Sequence, residues 1–220
     1  MLTTRIPKGV SCHQVLDYID QLSQLDIIGI ELDILTYGGD ELVVCSHFEE
    51  AQVAHLEEET LHLSTVFAHF INEKSTMQII LNLKEPYLEN RAKTLVEKWG
   101  LKKQVLYSGN LKPALFTPWD KPYVIYNIEN CLPNVYQLET LKRTHFDVIH
   151  YFCNKYKIQT IRVHIKALTE EIITWSEALN LKLSVYGIQS MEKAKSLLEA
   201  GVEYVETTDT CVADDLLSTE

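Results

Sequence analysis

Two periodicities of apolar residues take turns along this chain of 220 residues. Residues 2–6 read as a short strand, and Val15, Leu16, Ile19 and Leu22 follow at the spacing of one helix face. Residues 27–35 form an apolar run interrupted by Gly29, Glu31 and Asp33. Tyr37-Gly38-Gly39-Asp40 then reads as a hairpin turn into a strand over 41–45. Leu63, Val66, Phe67, Phe70 and Ile71 mark a second helix. A strand over 77–83 precedes a helix marked by Leu95, Val96 and Trp99 and stopped by Gly100. The alternation continues with strands over 104–107 and 123–128, a helix over 137–151 and a strand over 160–164. A helix over 169–179, a strand over 181–186, a helix over 190–200 ended by Gly201 and a last strand over 202–205 complete it.

Repeated β–α alternation implies a parallel sheet. About eight barrel-type strands, most separated by helices, predict a (β/α)8 TIM barrel forming one domain over residues 1–220. The length lies near the lower bound of roughly 200 residues for that barrel, so the loops must be lean.

The run at 27–35 carries the first chemical signal. On a strand, Glu31 and Asp33 share one face, while Ile30, Leu32 and Ile34 take the other. Burying one carboxylate is costly, and two adjacent ones repel each other. Such a pair needs a cation, a metal or a solvent-filled barrel mouth. A second signal is Ile161-Arg162-Val163-His164, whose period puts Arg162 and His164 on one face, to line a pocket or to cap it.

Composition narrows the function classes. The 46% apolar and 23% charged fractions are those of an ordinary soluble domain. Twenty basic against 31 acidic residues give −11, which argues against general binding to nucleic acid or an anionic membrane. No uncharged apolar stretch is long enough to span a membrane, and residues 1–8 lack a signal-peptide core. Five scattered cysteines (Cys12, Cys45, Cys131, Cys153, Cys211), never in C-x-x-C spacing, predict a reduced, cytoplasmic protein without a zinc knuckle.

Several segments, in order, resemble one family. Gly29-Ile30-Glu31-Leu32-Asp33-Ile34, a Gly-Asp turn and Glu41-Leu42-Val43-Val44 resemble the second-strand hairpin of glycerophosphodiester phosphodiesterases: G-I-E-x-D-V, a turn, then V-V-x-H-D. Leu81-Asn82-Leu83-Lys84 is similar to their strand ending E-x-K, and Gln104-Val105-Leu106-Tyr107-Ser108 to their V-x-x-S-S-F. Leu183-Ser184-Val185-Tyr186-Gly187 and Leu198-Glu199-Ala200-Gly201-Val202-Glu203 are similar to their V-W-T-V-N strand and L-x-x-G-V-D ending. The resemblance implies a compact barrel of the phospholipase-C-like phosphodiesterase type, without the insertion that family members carry after V-V-x-H-D.

The same resemblance implies a mechanism. Acidic residues of E-x-D and E-x-K hold a divalent ion, two histidines act as general acid and base, and an arginine and a lysine stabilise phosphate charge. Carried over by position, Glu31, Asp33 and Asn82 are the expected metal ligands, and two carboxylates with an amide oxygen suit Mg²⁺ or Ca²⁺. Arg5 and Lys84 are the expected phosphate-facing cations, and Tyr186 and His164 the expected substrate contacts. The histidine positions themselves hold Thr4, in place of the histidine of H-R-G, and Ser46 in V-V-x-H-D. His47, one residue on, or His164 at the end of the 160–164 strand is the expected substitute for proton transfer. General acid–base groups are worth about 10²–10⁴-fold in rate, so their loss predicts weakened metal-dependent hydrolysis of a small phosphodiester or phosphate ester. A non-catalytic phospho-ligand binder or regulatory pseudoenzyme fits the same residues. So does a structural barrel in which Glu31, Asp33, Lys84 and Arg5 neutralise one another.

Overall fold

The computed structural model describes residues 1–7, 10–11, 14–25, 27–45, 60–133, 135 and 141–208. Its strands are β1 (Leu2–Arg5), β2 (Gly29–Tyr37), β3 (Glu41–Cys45), β4 (Leu61–His62), β5 (Gln78–Leu83), β6 (Val105–Gly109), β7 (Ile125–Asn127), β8 (Thr160–His164), β9 (Lys182–Ile188) and β10 (Tyr204–Thr207). The helices are α1 (Val15–Leu22), α2 (Leu63–Asn72), α3 (Glu89–Lys98), α4 (Arg143–Tyr156), α5 (Glu170–Ala178) and α6 (Met191–Glu199). Strands β1, β2, β5, β6, β7, β8, β9 and β10 run parallel in a ring, with β10 returning to β1. The seam between β6 and β7 is a single parallel bridge, Tyr107 to Val124. The fold is thus the predicted (β/α)8 barrel, with a single bridge in place of a strand ladder at that seam.

Strands β3 and β4 extend β2 as an antiparallel flap. Gly38 and Gly39 make its turn, both at positive φ (59° and 96°), which favours glycine. Between β6 and β7 the chain forms short 3₁₀ turns, Pro113–Leu115 and Lys121–Tyr123, and no α-helix. Pro113, Pro118 and Pro122 crowd that connection, and each removes a helical donor.

Strand alternation sorts the side chains into two cores. Ile30, Leu32, Ile34, Ile79, Leu81, Val105, Ile161, Val163 and Val185 face outward into one apolar cluster with the helices. Val66, Phe67 and Phe70 of α2 and Ala92 and Val96 of α3 meet them there. The opposite parity forms a small second cluster inside the ring, Ile80, Leu106 and Ile125, with Tyr204 packed on it. This plug lies beside Glu31, since Glu31 and Ile80 are register partners.

Among the boundaries that differ from the sequence expectation, two shift by more than a turn or bear on the site. The helix expected over 137–151 runs instead as Arg143–Tyr156, because Phe146, Ile149 and Cys153 continue its buried stripe to a left-handed stop at Lys157 (φ 56°); residues 136–140 lie outside the described residues. The last strand is Tyr204–Thr207, two residues beyond the expected 202–205, set by pairing of Leu2 with Val205 and Thr4 with Thr207. That shift brings Glu206 into the barrel. Among the described residues, no helix is long and apolar enough to cross a membrane.

Candidate functional site

The inward positions above the apolar plug are polar and charged. Glu31 and Asp33 come from β2, Asn82 from β5, Ser108 from β6, Arg162 from β8 and Glu206 from β10. Glu31 and Arg162 are only 2% and 3% exposed. A buried ion must be paired to be tolerated, and these are. The Arg162 guanidinium donates from Nη1 to Glu31 Oε2 and from Nη2 to Glu206 Oε2. Its Nη1 also reaches Ser108 Oγ at 3.1 Å, and its Cζ lies 4.8 Å from the centre of the Tyr186 ring.

Asn82 joins the two carboxylates of β2. Its Nδ2 donates to Glu31 Oε1 at 2.8 Å and to Asp33 Oδ1 at 2.9 Å. The remaining oxygen, Asp33 Oδ2, faces two cations, Lys84 Nζ at 3.0 Å and Arg5 Nη2 at 3.5 Å. Arg5 ends β1 and Lys84 follows β5, so both stand at the C-terminal rim of the strands, 28% and 23% exposed.

The charge states follow from these contacts. Burial pushes Glu31 toward the neutral acid, but attraction and hydrogen bonding from Arg162 outweigh it and hold the carboxyl below its usual range. Burial raises Asp33, with Lys84 opposing and Glu31 adding to the rise. Glu206 is pushed up to about 8, first by burial and then by the Glu31 charge. At neutral pH it is therefore mostly a neutral acid, while Arg162 keeps its charge through both partners.

On the β8–β9 side, His164 and Tyr186 are register partners whose rings meet edge to face at 4.9 Å. His164 Nδ1 accepts from the Lys166 backbone N–H at 3.0 Å. Burial, then Lys166, lowers the pKa of the imidazole, so it is neutral at pH 7. The Tyr186 hydroxyl donates to Glu129 at 2.8 Å.

Of the residues singled out in the sequence, the structure gathers Arg5, Glu31, Asp33, Asn82 and Lys84 into one cluster. Tyr186 touches that cluster through Arg162, and His164 through Tyr186. His47 and Ser46 lie outside the described residues. Thr4, at the other histidine position, is fully buried and donates to the Thr207 carbonyl at 2.8 Å. The sequence reading missed Glu206, because it ended the last strand at 205. The alternation Tyr204-Val205-Glu206-Thr207 was the available signal. A surface cleft of about 690 Å³ lies outside the ring between the flap and helices α2 and α3. Four of its side chains pair with one another, Arg91 with Asp40 and His62 with Glu41.

The donor set does not fit a divalent cation as it stands. Every carboxylate oxygen of Glu31 and Asp33 already faces a nitrogen donor. Asn82 presents its amide nitrogen to them, and its Oδ1 lies against Gly109. Among the described residues, no three acidic, histidine or cysteine side chains converge as metal ligands do.

Comparison with known proteins bears on the fold. No protein-family model matches the sequence, and no curated protein matches it. Solved structures do. A protein assigned as a glycerophosphodiester phosphodiesterase in Galdieria sulphuraria superposes with a TM-score of 0.69 at 16% identity, over 99% of this chain and 96% of that one. A phosphodiesterase from Oleispira antarctica, solved with its product sn-glycerol 3-phosphate, gives 0.66 at 13% identity over 100% and 97%. Tryptophan synthase subunit alpha from Legionella pneumophila gives 0.56 at 16% identity over 94% and 79%. A different activity on the same barrel at equal identity means that these likenesses establish the fold.

Proposed function

We propose that this barrel, which shares its fold with glycerophosphodiester phosphodiesterases, binds a small phosphodiester or phosphate ester at its mouth and does not hydrolyse it at an enzyme's rate. The observation that carries the binding reading is Asp33 Oδ2, one carboxylate oxygen facing two half-buried cations, Lys84 and Arg5. The rim thus keeps a local positive excess on a protein of net charge −11. An anionic group of small size is the complementary ligand: Arg5 offers a planar fork and Lys84 a mobile point charge. Slow or absent turnover follows from Thr4, whose hydroxyl is buried and committed to a carbonyl, and from carboxylates already engaged with nitrogen donors.

The product held by the Oleispira antarctica phosphodiesterase supplies the probe. Calorimetric titration with sn-glycerol 3-phosphate and with glycerophosphocholine should show binding to the wild type. Arg5→Met and Lys84→Met should each weaken it roughly 10- to 100-fold, the worth of a charge-assisted hydrogen bond. Release of glycerol 3-phosphate from glycerophosphocholine should stay near background. Binding that is absent, or indifferent to both substitutions, would sink the reading; rapid release would return the protein to the hydrolases.

A further inference from the structure

The buried guanidinium is the feature of this barrel that the ligand reading leaves unexplained. Arg162 lies inside the ring, 3% exposed, and places its two terminal nitrogens on carboxyl groups from two strands that do not pair with its own, Glu31 of β2 and Glu206 of β10. Rim anion binding by Arg5 and Lys84 does not require it. A planar, permanently charged group that joins the Glu31 carboxylate to the Glu206 carboxyl group on another strand does what a bound ion does in such a site: it offsets charge, and it orients and cross-links its partners.

We propose that Arg162 is the barrel's built-in cation, standing in place of a divalent ion between Glu31 and Glu206, so that the wild-type site takes no hard metal and loss of the guanidinium opens one. Three features of the geometry argue for this. First, Arg162 and Asn82 together cover both oxygens of Glu31 with nitrogen donors. Second, Ser108 and the Tyr186 ring hold the guanidinium from the side, and Ser108 Oγ donates on to Asn127 at 3.1 Å, so its place is built by several strands. Third, the carboxylates that Arg162 joins are oxygen donors suited to Mg²⁺, Ca²⁺ or Mn²⁺ once they are released. With arginine present, a divalent ion would meet a fixed positive charge at buried positions, where repulsion is poorly screened. The inference concerns the mouth proposed above to bind phosphate esters, but its test uses no ester, so either reading can fail alone.

The experiment is thermal melting of wild type and of Arg162→Ala in EDTA and in 10 mM Mg²⁺, Ca²⁺ or Mn²⁺. The wild type should melt at the same temperature in all four. Arg162→Ala should melt well below wild type in EDTA and recover by roughly 5–10 °C in at least one cation, the mass-action gain for an ion at about a hundred times its dissociation constant. Adding Glu31→Gln to Arg162→Ala should abolish that recovery. Electron paramagnetic resonance of Mn²⁺ titrated with wild-type protein supplies a second arm that needs no variant to fold: the free-ion signal should persist. Wild-type binding of Mn²⁺ that Glu31→Gln removes would overturn the proposal. So would an Arg162→Ala protein that folds and gains nothing from any of the three ions.

Discussion

Glu206→Gln gives a direct test of the buried charge layer through the pH dependence of stability. In the folded protein the Glu206 carboxyl rises from its ordinary 4.5 to about 8, driven by burial and then by the neighbouring Glu31 charge. Between those two values the folded state holds a proton that the unfolded chain has released. By linkage, this contribution to stability is fully present below about pH 4.5 and is lost as pH rises through about 8. The gap spans some three and a half pH units, and at ~1.4 kcal/mol each it amounts to roughly 5 kcal/mol as a ceiling. Glutamine keeps an oxygen for Arg162 and cannot ionise, so it removes this slope and little else. Urea denaturation at pH 5, 6, 7, 8 and 9, followed by tryptophan fluorescence, would measure it. The stability of the variant relative to wild type should climb by several kcal/mol from pH 5 to pH 9. Curves that run parallel across the range would refute the reasoning, placing Glu206 ionised in the fold and its charge fully matched by Arg162.

Three further outcomes follow from the same geometry. Asp33→Asn removes the negative charge that competes with a ligand for Lys84 and Arg5, so glycerol 3-phosphate should bind about tenfold more tightly by calorimetry; a loss of binding would mean that the carboxylate itself holds the ligand. Gly109→Ala puts a methyl 2.5 Å from Asn82 Oδ1 at a backbone φ of +91°, and should lower the melting temperature by far more than Gly100→Ala (φ +70°), where the added methyl meets nothing within 4 Å and the backbone term alone costs about 1 kcal/mol. Cys131 and Cys153, pushed up to about 11 and about 12 chiefly by burial, should stay unlabelled by iodoacetamide at pH 7.5 while the protein is folded; peptide mass spectrometry after short exposure reads this directly.

Local pattern was enough for much of this protein. The period-two run Ile30 to Ile34 determined which face of β2 meets the helices and which carries Glu31 and Asp33, because strand geometry sends alternate side chains to opposite sides whatever surrounds them. The β–α alternation determined the barrel, and the paired glycines at 38 and 39 determined the flap turn. Tertiary structure alone decided what the carboxylates do. Glu31 is 131 residues from Arg162, and Arg162 is 44 residues from Glu206. No local spacing joins them; they meet because ring closure sets β2, β8 and β10 around one interior. Pairing of β2 with β5 sets Asn82 beside Asp33, and two carboxylate acceptors turn its amide nitrogen, rather than its oxygen, toward them. The sequence on its own left a metal cluster and an internal ion network both open. What bears on that choice is an arginine, Arg162, whose partners Glu31 and Glu206 only the tertiary fold could supply.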